Sequence, residues 1–99
     1  MGTSVAETPM GGIVNSIETF IRREFRILAD DPGFSPDVHL FESGYVDSAG
    51  VVELIAFIEA TFGVKLEDEH IFDERFTTIT GISSVVSGCL TEEGHRGAG

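Results

Sequence analysis

The sequence has one cysteine, no tryptophan, three prolines and six lysine and arginine residues against seventeen acids. Each shortage excludes something. The lone thiol, Cys89, cannot close an intramolecular disulfide and gives no basis for a cysteine-ligated metal site. A formal charge of −11 sets up a field that repels nucleic acid and anionic membranes. No stretch approaches the roughly 18 consecutive apolar residues of a membrane span. The N-terminus lacks a basic segment followed by an apolar run, so no secretory signal is expected. Ala6 breaks the pattern that marks a myristoylated Met-Gly start. A soluble, cytoplasmic protein with no nucleic-acid or membrane partner is the expectation.

Basic residues are also missing locally. Between Ile27 and Val64 there is no Lys or Arg, yet that span holds Asp30, Asp31, Asp37, Glu42, Asp47, Glu53 and Glu59. Such a face steers a basic protein partner toward itself. Plain solubility is the competing explanation of the same charge.

What is present is enough for a small core. Eight phenylalanines occur in 99 residues, and each buries about 150–250 Å² when packed. Residues 1–11 and 91–99 are rich in Gly, Thr, Ser and Glu, so a disordered N-terminal segment and a disordered tail are expected around a domain at 12–90. Ile13, Ile17, Phe20, Ile21, Phe25 and Leu28 recur at helical spacing, ended by Asp30-Asp31-Pro32-Gly33. Asn15 with Glu18 offers a capping box, and Met10-Gly11-Gly12 an earlier start. A long loop with Phe34, Val38, Leu40, Phe41 and Val46 follows; ordered loops of this length are often functional. The second helix starts near Ser48, buries Val51, Leu54, Ile55, Ile58 and Phe62, widened by Val52 and Phe57, and stops at Gly63. A short helix over Glu67–Glu74 is expected to turn Ile71 and Phe72 inward. The last helix carries Ile79, Ile82, Val85, Val86 and Cys89 or Leu90, capped by Thr77 or Thr78. Its two glycines and many β-branched residues make it a poor helix former that packing must hold. The fold class is all-α: four helices, three main and one short, with a long first loop.

Asp47-Ser48 at the start of the second helix has a bland reading as an ordinary cap. Ala49 and Gly50 weaken that reading. They are the smallest side chains, they leave the Ser48 hydroxyl reachable by another protein, and a helix N-terminus favours an attached anion. Here the sequence resembles the acyl and peptidyl carrier proteins. Gly44-Tyr45-Val46-Asp47-Ser48, Val52-Glu53-Leu54, Phe62-Gly63 and the acidic Leu66-Glu67-Asp68-Glu69 carry the resemblance, which spans about Ile13 to Leu90. It implies an acyl-carrier-like bundle whose Ser48 receives phosphopantetheine from a phosphopantetheinyl transferase, with Asp47 recognised by that enzyme. An acyl or aminoacyl group would ride on the arm as a thioester, and the chain itself would catalyse nothing.

The resemblance further implies a monomer, with basic docking surfaces on an acyl- or aminoacyl-loading enzyme and on downstream transferases meeting Ala49, Glu53 and Glu59. The family usually has Leu or Met after the serine. Ala49 therefore points to a dedicated stand-alone or aminoacyl carrier rather than the housekeeping fatty-acid one. The alternative is an acidic helical interaction module of the same fold that bears no arm. A hydrolase with a Ser48 nucleophile would need a positioned base and an oxyanion hole, and no base is in evidence. Cys89 reads as a small buried residue. His39 reads as loop packing rather than a lining for the arm. His39, His70 and His95 do not make a ligand set, and Glu67-Asp68-Glu69 lacks calcium-loop spacing; no metal is expected.

Overall fold

The computed structural model describes the backbone of residues 10–98 and the side-chain environments of 11–91; the expected disordered segment at 1–11 lies almost wholly outside it. Four α-helices follow in order: α1 Met10–Glu24, α2 Ser48–Phe62, α3 Asp68–Ile71 and α4 Ile79–Ala98, with a 3-10 turn Glu74–Thr77 ahead of α4. Among the described residues there is no strand, so the all-α expectation holds.

The core follows the spacing of the isoleucines. Ile13, Ile17 and Ile21 make one fully buried line on α1. They meet Leu54 and Ile58 of α2 and Ile79, Ile82, Val85 and Val86 of α4 in one cluster. α4 packs mainly on α1 and on the 3-10 turn. Its poor intrinsic propensity is offset there: Thr78 Oγ1 accepts the Gly81 N–H at 2.9 Å, and buried Ser83 donates its hydroxyl back to the Ile79 carbonyl at 2.8 Å. Cys89 is buried, as expected. The backbone of α4 continues to Ala98, past the Leu90 boundary read from the sequence.

Several expectations need correcting. α1 ends at Glu24, not at Asp30. Arg26 adopts φ 56°, and the Ile27 N–H bonds the Arg22 carbonyl at 2.9 Å. That is the six-to-one closure of a left-handed helix stop, here built on a residue other than glycine. Leu28 therefore leaves the helical face and is 71% exposed. Because α1 begins at Met10, Asn15 and Glu18 are interior and form no cap. On α2, Val52 is 65% exposed rather than part of the buried stripe. Phe57 is half-buried, stacked on Phe20 with ring centres 4.1 Å apart. The third helix is only four residues long, because Asp73 takes an extended conformation and starts a separate turn. Phe76 of that turn fills the core, while Phe72 is 83% exposed.

The long loop 27–47 is held by the backbone. The Leu40 N–H bonds the Thr77 carbonyl at 2.8 Å, the Thr80 N–H bonds the Pro36 carbonyl at 3.0 Å, and the Val46 N–H bonds the Leu40 carbonyl at 3.1 Å. Phe34, Leu40 and Val46 are buried beneath it. The loop thus reaches Ser48 already fixed to α4 and its preceding turn.

The two glycines of α4 make opposite predictions. A Cβ at Gly81 would collide with the Arg75 carbonyl, whereas one at Gly88 meets nothing within 4 Å. Gly81→Ala should destabilise by about 2 kcal/mol or more through backbone displacement, lowering Tm by roughly 10 °C for a domain of this size. Gly88→Ala should stabilise by about 0.5–1 kcal/mol. Thermal unfolding followed by circular dichroism separates them.

Candidate functional site

Ser48 is the first residue of α2, and Asp47 is its N-cap. Asp47 has extended backbone, and its Oδ1 accepts the Gly50 N–H at 2.8 Å. The Val51 N–H takes the Asp47 carbonyl at 3.0 Å and starts the helical ladder. The first-turn N–H groups of Ser48 and Ala49 have no acceptor within the helix by construction and point off its tip. Ser48 and Ala49 are exposed; Gly50 is buried.

Gly50 is not merely small to keep the serine open. A Cβ there would lie 2.5 Å and 2.7 Å from two ring atoms of Phe25. The Phe25 ring, just past the end of α1, occupies the space under the first turn of α2. Glycine lets the two helices approach at this end and sets the height of Ser48 above α1. Sequence reasoning saw the glycine and missed the partner, because Phe25 lay in what read as a continuing helix.

Beside Ser48 runs an open groove of about 500 Å³, lined by Phe41, Val46, Asp47, Ser48, Val51, Ile71, Phe72 and Phe76. Asp47 is its one charged residue, and neither histidine nor lysine borders it. Asp47, the acid nearest Ser48 in the lining, accepts the Gly50 N–H on Oδ1. His39 stands apart, its Nδ1 accepting the Glu42 N–H at 3.1 Å, and so stiffens the loop. His70 accepts the Glu67 N–H at 3.0 Å and places Nε2 3.7 Å from Cys89 Sγ. Among the described residues no cluster could hold a metal, and no helix is long and apolar enough to cross a membrane.

The two glutamates singled out on α2 differ in kind. Glu53 is exposed. A hydrogen bond to Glu24, the last residue of α1, and the charge of that carboxylate hold its carboxyl above the ordinary range; desolvation and Asp47 add to this. Glu59 is half-buried, and its Oε2 accepts the Leu66 N–H at 2.8 Å, closing the loop after α2. The helical rise puts Glu53 about 7 Å and Glu59 about 16 Å along the axis from Ser48.

The bundle thus presents an exposed serine at a capped helix tip beside an apolar groove. The family model described as the phosphopantetheine attachment site matches residues 15–86. The chain is 35% identical over 65 residues to the D-alanyl carrier protein of Streptococcus pyogenes serotype M5 (strain Manfredo), covering 66% of this chain and 82% of that protein. The D-alanyl carrier proteins of serotypes M49 (strain NZ131) and M1 match equally. No solved structure matches.

The chain belongs to the phosphopantetheine-attachment family. It is a carrier whose cargo is held on covalently attached phosphopantetheine, and its likeness to the D-alanyl carriers sets it beside specialised carriers rather than the housekeeping fatty-acid one. The family is one of carriers, not catalysts. Its members interact with a phosphopantetheinyl transferase and with enzymes that load and unload them.

The residues present fit such a group. The helix tip offers a free hydroxyl with N–H donors beside it, and the adjoining groove is apolar enough to receive a flexible chain. When bound, phosphopantetheine supplies a terminal thiol that holds cargo as a thioester.

Two charge reversals test the glutamates. Glu59→Lys should cost about 1.5–3 kcal/mol, the range for losing a hydrogen bond to a charged acceptor, whereas Glu53→Lys should not destabilise, because it converts the contact with Glu24 into an attraction. The Glu53 carboxyl titrates higher in the folded chain than in the unfolded one. Its contribution to stability is therefore present at low pH and lost as pH rises through the folded value. Glu53→Gln should raise Tm at neutral pH, with the advantage over wild type shrinking to nothing as pH falls below the ordinary carboxylate range. Chemical and thermal unfolding of the variants across pH gives both answers.

Proposed function

We propose that Ser48 is the attachment point of phosphopantetheine and that the chain is a cytoplasmic, monomeric aminoacyl carrier, holding a small amino acid of the kind named in its D-alanyl relatives. The observation that carries this is the exposed Ser48 hydroxyl at the capped tip of a 15-residue helix, inside the span matched by the attachment-site family. Asp47 serves twice: as cap of α2 and as the acid the transferase recognises. The chain contributes presentation, not chemistry. Loading and unloading enzymes bring the reactive groups.

Partners dock on the exposed start of α2, where Ala49, Val52 and Glu53 surround the serine. Their matching surfaces are basic, since the span from Ile27 to Val64 carries no cation. Glu59, tied to Leu66, contributes field rather than a free contact. The arm-less interaction module remains the rival, and mass spectrometry decides between them. Incubation with coenzyme A and a broad transferase should add one phosphopantetheine to the wild type and none to Ser48→Ala, with helical circular dichroism unchanged. Modified Ser48→Ala would refute the assignment, and an unmodified wild type would favour the rival.

Ala49 should set partner choice. A pocket shaped for the Leu or Met found in other carriers stays unfilled by a methyl group, and burying a Leu-sized side chain is worth about 1.5–3 kcal/mol. Ala49→Leu should therefore improve loading by fatty-acid-synthase enzymes about tenfold or more and impair the cognate reaction. Cognate loading should also weaken with added salt and with Glu53→Lys. Loading rates measured with both enzymes, both variants and a salt series test these expectations; indifference to all of them would remove position 49 and the acidic face from partner recognition.

A further inference from the structure

The loop that leads into Ser48 has an attachment that neither the core nor the helix cap requires. Tyr45 donates its hydroxyl to Asp31 Oδ1 at 3.1 Å, and the same oxygen accepts the Gly33 N–H at 2.8 Å. The Tyr45 ring meets Phe34 edge-on with centres 5.1 Å apart. The Arg22 guanidinium lies 4.6 Å over the Phe34 ring while it holds the Leu28 carbonyl at 2.9 Å. A Cβ at Gly33 would come within 3.0 Å of the Tyr45 hydroxyl, so the turn at 31–33 is shaped around the tyrosine. Desolvation, and then the bond to Asp31, hold the phenol above its ordinary range.

Tyr45 is half-buried and stands three residues before Ser48. Next to it, Val46 is anchored in the core and bonded to the Leu40 carbonyl. Asp47 then caps α2. The hydroxyl of Tyr45 does not reach Ser48. It straps the loop from the outside to the segment leaving α1, and so fixes the direction from which the chain enters the helix.

We infer that Tyr45, acting through Asp31, is a positioning residue for phosphopantetheine transfer: it holds the loop before Ser48 in the form the transferase binds. The inference rests on Ser48 being the attachment point. In that transfer Ser48 Oγ forms a phosphoester bond while the pyrophosphate link of coenzyme A breaks. The adenosine bisphosphate half leaves, and the serine proton passes to a base on the transferase. A loop that samples other forms lowers the competent fraction of carrier and raises its apparent KM by the same factor, leaving the chemical step on bound carrier untouched.

The test is steady-state transfer from coenzyme A by a broad transferase, with carrier concentration varied. Tyr45→Phe keeps the ring and removes the bond. Tyr45→Phe and Asp31→Ala should each raise KM about two- to tenfold, the range for one lost hydrogen bond, with kcat within about twofold. The double variant should be no worse than either single one. Asp31→Asn retains a carbonyl acceptor and should stay near wild type. Ile82→Val, a core change in α4, controls for general loss of stability and should leave KM alone. An unchanged KM in Tyr45→Phe, or a rise equalled by Ile82→Val at matched stability, overturns the inference. Failure of the attachment assignment is read separately: wild type unmodified, or Ser48→Ala modified, removes both.

Discussion

The hydrogen bond from the Gly50 N–H to Asp47 Oδ1 is the constraint on which the rest of the site depends. It fixes where α2 begins, and that decides that Ser48 is the first helical residue rather than the last residue of a loop. Phe25 can lie beneath this turn because residue 50 lacks a side chain. The Phe25 ring is available because α1 stops at Glu24 with Arg26 in a left-handed conformation. A helix stop, a ring, a missing Cβ and a carboxylate are therefore one device. Its product is an exposed hydroxyl at a helix tip with fixed height and direction.

Electrostatics overlays this geometry without building it. Among the described residues the ion pairs are local and mostly on one helix or turn, as in Arg22 with Glu18 and Arg75 with Asp73. Exposed pairs such as Arg75 with Asp73 contribute little to folding. On the loop, His39 Nε2 stands 3.8 Å from Glu42 Oε2, and at the start of α2 Glu53 and Glu24 face each other with like charge.

Much of this was legible in the residues. The period of Ile13, Ile17 and Ile21, the Gly63 stop and the helical spacing of Ile79, Ile82 and Val86 were enough to place three helices and their buried faces. The Asp-Ser pair ahead of an apolar-patterned run was enough to place Ser48 at the start of the second helix. What failed to show was whatever tertiary geometry decides. Arg26 in a left-handed conformation has no local signal, so α1 read too long and Leu28 was placed inside. Phe72 and Phe76 are equally apolar, and only the extended Asp73 between them determines that the second is buried. Glu53 and Glu59 look alike in the sequence. Their roles part because one happens to face a carboxylate and the other a backbone N–H. Tyr45 was noticed as part of a motif, but its partner Asp31 lies fourteen residues away in a turn that read only as a helix terminator.

α3 has four residues and no buried side chain, yet Ile71 and Phe72 at its end form one wall of the groove beside Ser48. The opposite wall, Phe41 and Val46, belongs to a loop tied by its backbone to α4 and the turn before it. The groove is thus a hinge with one fixed jaw and one cheap one. Local opening of α3 exposes little apolar surface and breaks few bonds, so it lies far below global unfolding in free energy. Amide exchange should be fastest along that jaw, and a bound guest would be felt first as its quieting.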